Sequence, residues 1–138
     1  MINTLNERRN TAYQGHALFQ HIDLERIQHF VDERPEALLA LLQLALSTSR
    51  DQISAVNRCG NIDDAREQRL AIHNLLNTFN FLHAKKALIT ARRAERHVAA
   101  SYAPLGPILL AELNAVYGDV EAELSAFLIR QGVINSAT

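Results

Sequence analysis

Apolar residues recur along this chain at intervals of three and four, and over no useful window do they alternate with polar ones. That period lines them up on one side of an α-helix and argues against strands. Hairpin dipeptides such as Asn-Gly and Asp-Gly are missing too. Residues 1–20 are polar and poorly periodic, and read as an arm or loose helix. "IDLERIQHFVD" predicts a short helix with Asp23 at its N-cap and Ile27, Phe30 and Val31 on one side. Pro35 then opens a long helix, "PEALLALLQLALSTSRDQISAVNRCG". Proline fits the first helical position, Glu36 suits the positive end of the dipole, and Gly60 is expected to stop the helix. Its stripe is Leu38, Leu42, Ala45, Ile53 and Val56.

"NIDDAREQRLAIHNLLNTFNFL" predicts the next helix, capped by Asp63 or Asp64. At about 100° per residue, Gln68, Ile72, Leu75, Phe79 and Leu82 share its core side. A weak break near His83 leads into "AKKALITARRAERHVAASY", with an apolar line through Ala84, Leu88, Ala91, Ala94, Val98 and Tyr102. Pro104, Gly106 and Pro107 interrupt the chain, and a last helix, "ILLAELNAVYGDVEAELSAFLIRQ", ends at Gly132. Short connections between long amphipathic helices make neighbours antiparallel. The expected fold is therefore all-α: an antiparallel up-and-down four-helix bundle over residues 21–132, with a short extra N-terminal helix and a tail at 133–138. Its core should hold Leu42, Ile53, Ile72, Leu75, Phe79, Leu88, Val98, Leu113, Val120 and Phe127.

Composition narrows the partners. At 138 residues the chain suits one domain, and 48% hydrophobic against 21% charged residues is a globular balance, not a disordered one. A formal net charge of -1 offers no global attraction to nucleic acid or to an anionic membrane. The lone Cys59 cannot form an internal disulfide, which fits a reducing compartment. The polar start has no apolar core of a secretory signal, and the longest apolar run, "ALLALLQLALS", is too short to span a bilayer. A cytoplasmic monomer is expected, with neither nucleic acid nor membrane as partner.

One imidazole falls off the apolar stripe. His73 lies about a quarter turn or more from the stripe's centre, near Arg66, Arg69, Leu76, Asn77 and Asn80. It is therefore expected on the solvent flank of its helix. A histidine placed there is more often an ordinary boundary residue. Two features point further: Arg69 and Arg66 lie one and two turns before it, and guanidinium holds phosphate oxygens in a bidentate geometry. Leu76 adds an apolar side chain to a flank that should be partly exposed, as a docking face would.

Other chemistry finds less footing. His16, His21 and His29 do not pair at helical spacing, and His73, His83 and His97 lack a cysteine or carboxylate motif, so no metal is expected. Cys59 beside Gly60 has no base motif around it, and the five glycines are too scattered to form a phosphate loop. "KKALITARRAER" carries Lys85, Lys86, Arg92, Arg93 and Arg96 without interleaved aromatics, and reads as a solvated helix face. No cofactor is called for.

From about His21 to Gln131 the chain resembles a histidine-containing phosphotransfer (HPt) domain, the helical module that relays phosphoryl groups in two-component signalling. "HIDLERIQHFVDERPEALLALLQLALSTSRDQISAV" is similar to the family's opening, and "NIDDAREQRLAIHNLL" corresponds to the helix carrying the phosphorylated histidine, usually His-x-Leu-Lys-Gly. "FLHAKKAL" resembles the Leu-Gly-Ala turn that follows, and "ARRAE" falls where a Leu-Glu-like end is common. The resemblance implies His73 as phosphoryl acceptor and a response-regulator receiver domain or hybrid histidine kinase as partner, with the receiver supplying Mg²⁺. His73 and Leu75 match the motif, whereas Leu76 stands for its lysine, Asn77 for its glycine, and His83 for the later glycine. Arg69, one turn before His73, could replace the lost charge, with Arg66 behind it.

Two functions follow as expectations. One is an HPt-like module, not an enzyme in the ordinary sense, that docks receiver or kinase domains through Leu76, Asn77, Asn80, Lys85 and Lys86 and transfers slowly or only binds. The other is a helical adaptor or inhibitor with no phosphoryl chemistry.

Overall fold

The structure, a computed structural model, describes residues 19–135. Most of the polar arm, with His16, and residues 136–138 of the tail lie outside the described residues. Five helices follow one another: α1 Leu24–Phe30, α2 Pro35–Asn61, α3 Ala65–Phe81, α4 Lys85–Ser101 and α5 Pro107–Arg130. No strand occurs among the described residues, and no described helix is long and apolar enough to cross a membrane. Of the long helices, α2 packs on α3, α3 on α4, α4 on α5, and α5 back on α2. The ring closes around one core.

The helix ends follow from local chemistry. Asp23 and Asp64 each accept a hydrogen bond from the backbone N–H three residues on, that of Arg26 and of Glu67. Prolines occupy the first position of α2 and of α5, where no amide hydrogen is needed. Gly132, at φ 73°, follows α5 in the left-handed conformation. Gly60 does not stop α2, which runs one residue further, and Asp63 makes the left-handed turn instead. The glycine serves a close approach: a Cβ there would lie 2.9 Å from Nε2 of Gln68. Gln68 is fully buried, donating to the Val56 carbonyl at 3.0 Å and accepting from the Leu105 amide at 2.8 Å. One amide side chain thus ties the end of α2 and the α4–α5 connection to α3, with both its polar ends satisfied.

The expected core residues are buried with one exception, Leu88, which is half-buried against the cluster. Two other placements differ from the helical pattern. Tyr102 ends 87% exposed, because as the cap of α4 it turns left-handed (φ 54°) and leaves the apolar line. Phe30 is 72% exposed, although Ile27 and Val31 are buried; its ring stands edge-on to Phe81, centroids 5.8 Å apart. Phe19, Val133 and Ile134, beyond the expected boundaries of 21–132, also pack against the core.

Polar clasps join α5 to the rest. Glu123 accepts from the backbone amides of Gln20, His21 and Ile22 at 2.7, 3.0 and 3.2 Å, and Asp23 donates its amide to the Leu82 carbonyl at 3.1 Å. Asn57 and Asn114 exchange amide hydrogen bonds at 3.0 Å between α2 and α5. Arg50 pairs with Glu121 at 3.3 Å, and Arg93 pairs with Glu112.

Near Glu121, Tyr117 is buried, and burial pushes its hydroxyl from about 10 up to about 12, with the Glu121 charge adding to the rise and Ser49 opposing it. The folded state therefore holds this proton more tightly than the unfolded chain does. Its stabilising contribution is complete below about pH 10 and is lost as pH rises towards about 12, so stability should fall by roughly 2 kcal/mol between about pH 9 and about pH 11.5. Urea midpoints at the two pH values should converge on replacing Tyr117 by Phe. An equal alkaline loss in Tyr117→Phe would place its origin elsewhere.

Candidate functional site

α3 carries His73 because its core side is fully committed elsewhere. Gln68, Ala71, Ile72, Leu75 and Phe79 turn inwards, leaving Arg66, Arg69, His73, Asn77 and Asn80 exposed on the opposite side. The His73 side chain is 52% exposed, and its Nδ1 lies 2.9 Å from Oε2 of Glu95 on α4. Glu95 is more enclosed, at 23% exposure, since Ala91 and Val98, one turn to either side, are buried. Among the described residues no three His, Cys, Asp or Glu side chains converge as metal ligands would.

A small hollow of about 240 Å³ opens beside the ring, lined by Arg66, Arg69, Leu70, His73 and Glu95. Two arginines thus line the same hollow as one imidazole, and both also line a neighbouring hollow with Tyr102 and Ala99. Both are exposed, and neither is ion-paired with a carboxylate among the described residues. The arrangement offers an uncharged nucleophile when the ring is deprotonated, next to donors suited to phosphoryl oxygens.

On the other side of His73 the α2–α3 seam is apolar. A groove of about 340 Å³ is bounded by Leu41, Leu44, Ala45, Thr48 and Gln52 of α2 and by Asn74, Asn77, Thr78 and Phe81 of α3. Leu44 is 61% exposed, and Phe30 stands against Phe81 at the groove's end. Thr78 donates to Gln52 across the seam at 2.8 Å.

The residues expected to act together are therefore divided. Arg66, Arg69 and His73 share the hollow, while Asn77 lines the groove. Leu76 is half-buried against the core, and neither it nor Asn80, Lys85 or Lys86 lines the hollow or the groove, although Asn80 and both lysines are exposed. Glu95 was not anticipated. Its signal was available: on α4 it is one turn after Ala91 and one before Val98, an acidic residue at the edge of the core line. Which residue of α3 it meets depends on how the two helices are set along each other. The apolar groove, with Leu41, Leu44 and Phe81, was likewise assigned to no partner face.

His83, in the α3–α4 turn, has φ 52°, and the amide of Ala84 reaches back to the Phe79 carbonyl at 3.0 Å. That is the left-handed end of a helix, where glycine is the favoured residue. Comparison of the chain with family models, with curated proteins and with solved structures returns no match.

Proposed function

We propose that this chain is an HPt-like signalling module: a cytoplasmic, monomeric, antiparallel up-and-down four-helix bundle that docks a receiver or kinase domain, with His73 as phosphoryl acceptor. The observation that carries the reading is the exposed His73 imidazole on α3, with Arg66 and Arg69 in the hollow beside it. The left-handed turn at His83 supports the resemblance, since it falls where the family has glycine. Arg69 takes over the charge that Leu76 lacks, while Leu41, Leu44, Phe81 and Phe30 extend the docking face to the α2 side. The chemistry is in-line transfer between a receiver aspartyl phosphate and an imidazole nitrogen, and the module supplies nucleophile and surface without a cofactor of its own.

The groove also favours docking without transfer, because apolar contact does not depend on the reacting atoms. The test incubates the protein with a panel of phosphorylated receivers from its own organism, beside His73→Gln. Expected is binding that survives His73→Gln, together with acid-labile label that is slow or absent in the unmodified protein and wholly absent from the variant. Label of undiminished amount in His73→Gln would remove His73 as acceptor. Failure to bind any receiver or kinase would leave the helical adaptor or inhibitor.

A further inference from the structure

We propose that the surface trough between α3 and α4 binds a nucleoside phosphate, with Tyr102 receiving the base and Arg66 and Arg69 the phosphates. Two hollows make up the trough. One, of about 330 Å³, is lined by Ala65, Arg66, Arg69, Val98, Ala99 and Tyr102. The other, of about 240 Å³, runs from the same two arginines to His73 and Glu95. Because both arginines belong to both hollows, these are adjoining parts of one feature. Helical rise puts Arg66 and His73 about 10 Å apart along α3, so the trough has room for an extended ligand. Its chemistry changes along that length, from aromatic and apolar at Tyr102 through cationic in the middle to an imidazole at the far end.

Tyr102 caps α4 in the left-handed conformation, with its amide donating to the Val98 carbonyl at 2.9 Å, yet the residue stays 87% exposed. Its backbone is fixed while its ring is left in water, and the small side chains of Ala65 and Ala99 keep the space beside it open. A planar base lying there covers apolar surface and stacks on the ring. Arg66 and Arg69 are exposed, one turn apart and paired with no carboxylate among the described residues, so neither gives up a partner to hold an anion. Guanidinium takes phosphate oxygens in pairs. Asp63, Asp64 and Glu67 flank the start of α3 but line neither hollow, and the Glu95 carboxylate is engaged by Nδ1 of His73 at 2.9 Å. Free phosphate would leave Tyr102 uncovered. A longer nucleic-acid strand would need cations well beyond the trough, on a chain whose net charge is -1. A nucleoside phosphate engages both ends. Seated here it also covers the flank on which His73 is exposed, and on the acceptor reading above it would compete with a docking receiver. The site itself does not depend on that reading.

The test is titration calorimetry of the full chain with ADP at low salt, beside adenosine and pyrophosphate, with no receiver present. Expected is saturable ADP binding, about tenfold or more tighter than that of either fragment, because only the nucleotide engages ring and arginines together. Arg66→Gln combined with Arg69→Gln should weaken ADP and pyrophosphate alike, by about tenfold or more. Tyr102→Ala should weaken ADP about tenfold and leave pyrophosphate unchanged, whereas Tyr102→Phe should keep ADP binding. All three side chains are exposed, so the variants should fold. Arg92→Gln combined with Arg96→Gln removes the same charge from exposed positions of α4 outside the trough and should change little. Absence of saturable ADP binding overturns the proposal. So does pyrophosphate binding as tight as that of ADP, which reduces the trough to an anion patch. ADP binding that ignores Tyr102→Ala, or that falls as much on changing Arg92 and Arg96 as on changing Arg66 and Arg69, overturns it as well. Failure of the acceptor reading would appear instead as absent label from phosphorylated receivers, with ADP binding intact, so the two failures are distinguishable.

Discussion

Phe79→Ala is expected to cost roughly 3–5 kcal/mol of folding stability, the range for truncating a buried aromatic. Phe79 is fully buried in the core cluster, on the side of α3 opposite His73. Removing its ring loses the transfer free energy of the deleted atoms and leaves a void that the close-packed core around it only partly collapses into. Against a typical total of about 5–15 kcal/mol, the variant would keep little reserve. The measurement is a urea midpoint that falls steeply with the slope unchanged. Phe30→Ala is the matched control. It deletes the same ring at a site 72% exposed, where only the edge contact to Phe81 is lost, and should cost about 1 kcal/mol or less. A cost below about 1 kcal/mol for Phe79→Ala would mean that the inward face of α3 is rotated from the one described, and His73 with it.

Leu76→Lys combined with Asn77→Gly is expected to raise phosphotransfer through His73 by about a hundredfold, because a misplacement of around 1 Å at the reacting atoms costs that much. Asn77 is one turn after His73 on the exposed side of α3, where on the proposed reading its side chain would stand in the path of a receiver loop. Glycine there removes that bulk at a stability cost of well under about 1 kcal/mol within the helix. Leu76 is half-buried, so a lysine can keep its aliphatic stem on the core edge and carry its ammonium outwards. Affinity should move less than rate, and can fall, since the variant gives up apolar contact. The check is the rate of acid-labile labelling from phosphorylated receivers, measured with dissociation constants for the same pairs. Rapid labelling of the unmodified protein would show that Arg66 and Arg69 already compensate fully for the absent lysine. An unchanged slow rate in the double variant would place the obstacle elsewhere than at Leu76 and Asn77.

What the residues dictate locally was legible from the chain. Helical period, proline at the first helical position and the Asp23 and Asp64 caps depend on neighbours within one or two turns, and each appears in the structure. The core side of α3 follows from the same period, and with it the exposure of His73. Where the sequence misled, a distant contact had the decision. Gly60 looked like a helix terminator and proved to make room for Gln68. Phe30 and Tyr102 continued an apolar line in sequence but left it in space, one beyond the edge of the core and the other in a left-handed cap. The pairing of His73 with Glu95, 22 residues apart, depends on how α3 and α4 are set along each other, and the groove on how α2 meets α3. Periodicity settles which face of a helix turns inward, because burial is decided residue by residue. Which side chains then meet across a seam is a property of two packed helices, and only the tertiary structure decides it.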